Sequence, residues 1–207
     1  AADLQAALDL AARHDLYLMP TLFSFDNFRP SGPTREGDLY VTGIQPMVVD
    51  SARREALIER VVRPLARAAE ESAHAERLLA WDLINEPEWA IEGASLHGED
   101  PDFDPQLDRD DPLQTVSHSQ MERFLRDLIV ALREESGAMI TVGAAAMKWR
   151  HAWSQLELDF DQFHIYGWVQ RYWPYDRSPS DYGLRSRPVV MGEFFMQQDA
   201  VAAGVGY

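Results

Sequence analysis

Apolar residues recur at Leu4, Ala7, Leu8 and Ala11, the spacing that lays one stripe along a helix from Asp3 to His14. Leu16 to Phe25 (LYLMPTLFSF) is then a continuous apolar run. That is the pattern of a strand buried on both faces of a parallel sheet, with Pro20 removing one ladder donor. Asp26 to Pro46, rich in Gly and Pro, reads as loop. Asp50 or Ser51 caps a long helix reaching about His74 and carried by Ala56, Leu57, Val61, Leu65 and Ala68. Pro64 is expected to kink it or to begin a second helical segment. Leu78 to Glu86 is a second strand. Thr115 to Glu135 carries Met121, Phe124, Leu125, Leu128, Ile129 and Leu132 on one helical face, with Gly137 placed as its C-terminal cap. Strands at Ala138 to Ala144, Phe160 to Tyr166 and Pro188 to Phe194 complete the series.

Five apolar strands separated by helices read as βα units around a parallel sheet, either doubly wound or closed into a barrel. The 207 residues, 46% hydrophobic, show no internal repeat and no linker, so they are read as one domain with a substantial core. The absence of cysteine excludes disulfides, thiol chemistry and Cys-based metal sites, and Lys148 as the sole lysine leaves almost no scope for Schiff-base chemistry. A formal charge of -15 argues against nucleic acid and anionic membranes as partners, because both are bound through clustered Lys and Arg. No apolar run reaches the roughly 18 to 20 residues that span a bilayer. The first residues carry charges where a signal peptide needs an apolar stretch, and extracellular and cytoplasmic locations both stay open. His97 to Pro112 packs seven carboxylates and one Arg into sixteen residues. It is read as a solvated loop, since Pro105 stands where a calcium-binding EF-hand has Gly.

Ligands of α/β sheets and barrels bind at the carboxyl ends of strands. Asn85 and Glu86 end one strand, His164 and Tyr166 another, and Glu193 a third. The spacing by two sends Gln162, His164 and Tyr166 to one face and Phe163 and Ile165 to the other, while Glu193 is expected to share its face with Val189 and Met191. Adjacent Asn85 and Glu86 can line the same pocket only if a bulge or the strand's end turns one of them, and Pro87 suits such a break. Two carboxyl groups facing one cavity suit glycoside hydrolysis, in which one protonates the leaving oxygen and the other attacks the anomeric carbon or activates water. Tyr166 is expected to donate to one carboxylate and keep it ionised while the other holds its proton in a drier setting. His164 is expected to orient either carboxyl group or a substrate hydroxyl.

AWDLINEPEW (Ala80 to Trp89), FHIYGW (Phe163 to Trp168) and PVVMGEFF (Pro188 to Phe195) resemble the fourth, sixth and seventh strands of the retaining glycoside hydrolases built on a (β/α)8 barrel. The chain is most similar to glycoside hydrolase family 5, the cellulase and mannanase family. The resemblance implies Glu86 as general acid/base, Asn85 as ligand of the sugar 2-hydroxyl, Glu193 as nucleophile, and Tyr166 and His164 as their partners. It implies a substrate that is a neutral β-mannan or β-glucan, a double-displacement mechanism, and no cofactor or metal. It also makes Leu16 to Phe25 the third strand, so the fold is expected to be a partial TIM barrel showing five of eight βα units, without counterparts of strands one, two and eight. Such a chain is expected to be a fragment of a longer enzyme or an incomplete barrel, with self-association or a further segment covering its open edges.

Aromatic residues cluster after the strand ends, where sugar C–H faces stack on rings. Trp168 and Trp173 are expected to bind substrate, as are Trp149 and Phe25. Two other readings follow from the same residues. Glu86, His164 and Glu193 have the donor types of a divalent-metal site in a barrel enzyme, and a truncated barrel would retain sugar binding or be inactive alone.

Overall fold

A computed structural model describes residues 1–30, 35–36, 39–40, 43–92, 113–166 and 177–194. Trp168, Trp173 and the acidic stretch from His97 to Pro112 lie outside these residues. Helix α1 spans Ala2–Arg13 and buries Leu8 and Ala11, as its stripe predicts. The predicted loop after Phe25 contains more order than its composition suggests. A 3-10 turn covers Phe25–Phe28 under a Ser24 capping box, β1 (Arg35–Glu36) pairs antiparallel with β2 (Leu39–Tyr40), and α2 covers Gln45–Val49.

The long helix predicted from Asp50 is three segments. Asp50 caps α3 (Ser51–Leu57) by accepting from the Arg53 N–H, a π turn spans Ile58–Val62, and α4 covers Arg63–Glu70. Pro64 has no N–H to give to a preceding turn, and the wider π turn just ahead of it lets the chain continue. Helix α5 (His118–Glu135) begins at Ser117, whose hydroxyl and the Gln120 side chain form a reciprocal capping box. Its predicted face, Met121 through Leu132, is buried. Each such side chain taken fully from water contributes about 1.5–3 kcal/mol. Gly137 is not the left-handed cap expected of it. The helix ends at Ser136 in extended conformation, and the Gly137 N–H donates to Glu70 instead.

Four strands, β3 (Ala80–Asn85), β4 (Met139–Ala144), β5 (Asp161–Ile165) and β6 (Val189–Phe194), form a parallel sheet in the order β3-β4-β5-β6. Among the described residues spatial order equals chain order, with no reversal of the kind that defines a doubly wound sheet. This is a singly wound, partial TIM-barrel-like α/β fold, with β3 and β5 buried on both faces and β6 half-exposed.

Leu16 to Phe25 runs beside β3 but is not the regular, doubly buried strand predicted. It touches β3 and its approach through isolated parallel bridges, Leu18 to Leu78, Thr21 to Asp82 and Ser24 to Asn85. Pro20 interrupts the ladder as donor while its carbonyl still accepts the Asp82 N–H at 3.1 Å. Leu16 and Tyr17 stay largely exposed because, among the described residues, this segment is an edge.

Candidate active site

Two bulges deliver the two glutamates. On β3, Asp82 pairs with Thr141 and Asn85 with Gly143, so three steps on one strand match two on the other. Asp82 and Asn85 therefore face the same side despite their odd spacing. Glu86 then adopts a left-handed backbone (φ 49°, ψ 51°) that directs the next side chain inward as well. A non-glycine residue there costs on the order of 1–2 kcal/mol, a strain that functional sites commonly hold. Pro87–Ala90 continues as a 3-10 turn.

On β6, Phe163 pairs with Met191 but His164 pairs with Glu193, so Gly192 is the extra residue. This corrects the expected alternation. Val189 and Met191 share the face of Phe163 and pack on the hydrophobic core, whereas Glu193 is turned to the opposite face beside His164. Gln162 and His164 do share one face, as their spacing predicts, with Phe163 and Ile165 in the core behind.

The geometry joins the predicted groups. Glu86 Oε1 lies 2.8 Å from His164 Nδ1, and Glu86 Oε2 accepts from the Trp89 indole N–H at 2.7 Å. Glu193 Oε2 accepts from the Tyr166 hydroxyl at 2.6 Å and lies 3.6 Å from His164 Nδ1. One oxygen of each glutamate and a ring nitrogen of His164 all fall within 4.8 Å of one another. The Glu86 side chain is 13% exposed and that of Glu193 41%, so the two carboxyl groups sit in drier and wetter surroundings.

The Tyr166 hydroxyl is pushed up to about 12 by its hydrogen bond to Glu193, by burial and by the nearby carboxylate charges. It stays a donor throughout the neutral range. For His164, burial opposes the charged ring, but the Glu86 hydrogen bond and the charges of Glu193, Glu86 and Glu88 outweigh it and raise its pKa above the ordinary imidazole value.

The structure adds residues that the motifs passed over. Asp82 is buried beneath the site and accepts from the Gly143 N–H at 2.9 Å and the Thr21 hydroxyl at 3.0 Å. The Gly143 carbonyl in turn accepts the Glu86 N–H at 2.6 Å, so the Asp82 side chain supports the peptide on which Glu86 hangs. Glu88 is fully buried and accepts from the Trp153 indole at 2.6 Å and the Ala145 N–H at 3.1 Å. A charged residue in the middle of the apolar run LLAWDLIN, and a second acid directly after Glu86-Pro87, were the available signals.

Aromatic side chains divide differently from the sequence reading. Trp149 is 3% exposed and meets Trp89 edge-on at 5.5 Å, so its ring is enclosed in the core rather than offered to a sugar. Phe25 opens the 3-10 turn, partly buried against the core.

Gly192 and Gly143 leave room for Gln162. A Cβ at Gly192 would lie 2.6 Å from Gln162 Cγ and Cδ, and one at Gly143 2.9 Å from Gln162 Nε2. Gly192→Ala is expected to lower stability by about 1–3 kcal/mol, as overpacking does. Thermal unfolding of that variant beside Gly137→Ala, where nothing lies within 4 Å, checks this.

No protein-family model matches the sequence, and no curated protein matches it. Solved structures do. The chain is similar to the β-mannanase of the blue mussel Mytilus edulis, with a TM-score of 0.69 and 23% identity over 96% of this chain and 59% of that one. It is similar to the β-1,4-mannanase of the sea hare Aplysia kurodai, with a TM-score of 0.64 and 21% identity over 95% and 59% of the respective chains. The endo-1,4-β-mannanase of Eisenia fetida gives a TM-score of 0.66 and 19% identity over 93% and 56%. The chain thus shares the fold of these enzymes and spans less than two thirds of their length.

Proposed function

We propose that this chain carries the catalytic centre of a retaining glycoside hydrolase acting on β-1,4-mannan, with Glu193 as nucleophile and Glu86 as acid/base. One observation supports the mechanism: one carboxyl oxygen of Glu86 and one of Glu193 lie within 4.8 Å of each other, too close for the two groups to flank a water at the wider spacing. Retaining enzymes hold their carboxyl groups about 5–5.5 Å apart, and inverting enzymes about 6.5–9.5 Å to admit a water. The choice of mannan over glucan rests on the named activities of the structures that share the fold. A neutral polysaccharide also suits a protein of net charge -15.

In this reading the Glu193 carboxylate attacks the anomeric carbon while Glu86 gives its proton to the departing glycosidic oxygen. Glu86 then takes a proton from water, and the resulting hydroxide equivalent displaces Glu193. Tyr166 holds the attacking carboxylate in place, and Trp89 and His164 hold the acid/base. In this reading Asn85, on the same face as Asp82, meets a hydroxyl of the bound sugar. Trp168 and Trp173 keep their role as sugar platforms in this proposal.

Incubation with β-1,4-mannan is expected to release reducing ends, and proton NMR of the first products is expected to show the β-anomer. The α-anomer appearing first would sink the double-displacement mechanism, and failure to cleave either mannan or glucan would sink the hydrolase reading. The same three residues could hold a divalent metal, since their donor atoms converge. Loss of activity on chelation, restored by a divalent cation, would favour that second reading.

A further inference from the structure

Beneath the two glutamates lies a buried polar line that the double displacement does not itself use. Asp82 Oδ1 is taken by the Gly143 N–H, and Oδ2 by the Thr21 hydroxyl. The Gln162 amide also approaches Oδ2, its Nε2 at 3.5 Å. An ionised carboxylate only accepts, so it turns the amide's nitrogen, not its oxygen, toward itself. The same Nε2 lies 3.5 Å from His164 Nε2, and Gln162 Oε1 is buried without a hydrogen-bond partner among the described residues. Gly143 and Gly192 close on the Gln162 side chain from both neighbouring strands and hold it there.

We propose that Asp82 and Gln162 are positioning residues that fix the tautomer of His164, keeping its proton on Nδ1 toward Glu86 and leaving Nε2 bare. A donor N–H₂ facing Nε2 disfavours a proton on that nitrogen. The proton then sits on Nδ1, 2.8 Å from Glu86 Oε1, where a carboxyl oxygen accepts it. The titratable groups around the ring pull in opposite directions. Glu86, Glu193 and Glu88 favour a charged imidazolium, as does the Asp82 carboxylate below, while Tyr166 is neutral and already committed to Glu193. Against them, the oriented amide repels a second ring proton at Nε2. The consequence concerns the acid step, and to that extent rests on the proposed function. An imidazolium beside Glu86 would hold that residue as a carboxylate, whereas a neutral ring with its proton on Nδ1 can support Glu86 while Glu86 keeps the proton it must deliver.

The test reads His164 directly by nitrogen-15 NMR of the imidazole ring in the substrate-free protein. The wild-type chain, at a pH where the ring is neutral, is expected to show a protonated Nδ1 and a bare Nε2. In Asp82→Asn the new amide nitrogen replaces Oδ2, so Gln162 is expected to turn its Oε1 toward both Asn and His164. A proton on Nε2 is then accepted, and the neutral ring's proton is expected to move from Nδ1 to Nε2. Gln162→Met, which fills the space but has no amide, is expected to weaken the Nδ1 preference to what the Glu86 contact alone supplies, and it serves if Asp82→Asn does not fold. In kinetics, Asp82→Asn is expected to lower kcat and displace the pH profile with little change in KM. A wild-type ring protonated on Nε2, or ring signals unchanged in both variants, would overturn the proposal. An inactive wild-type chain with the expected ring signals would instead count against the hydrolase reading alone.

Discussion

Glu193→Gln is expected to lower mannan hydrolysis by about 10⁴-fold or more, as losses of a nucleophile do, while leaving the unfolding temperature nearly unchanged. The amide has the size of the carboxylate, and its oxygen can still accept from the Tyr166 hydroxyl that now lies 2.6 Å from Glu193 Oε2. What disappears is the charge proposed to attack the anomeric carbon. The companion change Glu86→Gln separates the two roles. It is expected to cripple cleavage of mannan, whose sugar leaving group needs a proton, and to spare formation of the glycosyl-enzyme from aryl glycosides with acidic phenol leaving groups. Rates on the two substrates, measured side by side, check the assignment. Equal losses for Glu86→Gln on both would remove Glu86 from the acid role, and full activity of Glu193→Gln would remove Glu193 as nucleophile.

Glu88→Ala is expected to be the most damaging single substitution for stability near the site, at roughly 3–5 kcal/mol. It strips the acceptor from the buried Trp153 indole and the Ala145 N–H and leaves a void under the turn that carries Glu86. Glu88 also makes stability depend on pH. Burial pushes its carboxyl up to about 7 from 4.5, against the two N–H donors that favour the charge. A carboxyl that binds its proton more tightly when folded contributes fully below its unfolded value and loses that contribution as pH rises through the folded one. Stability attributable to Glu88 therefore falls between about pH 4.5 and pH 7, by on the order of 3 kcal/mol. Urea unfolding across this range is expected to show a flatter profile for Glu88→Gln than for wild type. Parallel profiles would show that Glu88 does not hold its proton in the fold.

The elements with long, clean periodicity were legible before any coordinates. The face of α5 and the apolar runs of β3, β4 and β5 are patterns of solvent exclusion, and burial follows from them directly. Elements governed by one backbone detail were not. Pro20 turned a predicted strand into a series of bridges, and Ser136 rather than Gly137 ended the helix, whereas Pro64 does begin a second helical segment as expected. Trp149 has the position of a sugar platform in the sequence, yet lies against Trp89 in the core. A ring's solvent exposure depends on where its neighbours in space fall, and linear order does not encode that.

The amino-acid order by itself determined which chemistry was available: two glutamates, a histidine and a tyrosine at the ends of three apolar strands, with too few basic groups for a polyanion and no thiol. Tertiary structure alone decided how they meet. Strict alternation would have put Glu193 on the core side with Met191, and Asn85 and Glu86 on opposite faces. The bulge at Gly192, the bulge between Asp82 and Asn85 and the left-handed backbone at Glu86 reverse both outcomes. Each is a matter of register between strands far apart in the chain, set by what Asp82, Gly143 and Gln162 find opposite them, so only the assembled sheet could bring an oxygen of one glutamate within 4.8 Å of an oxygen of the other.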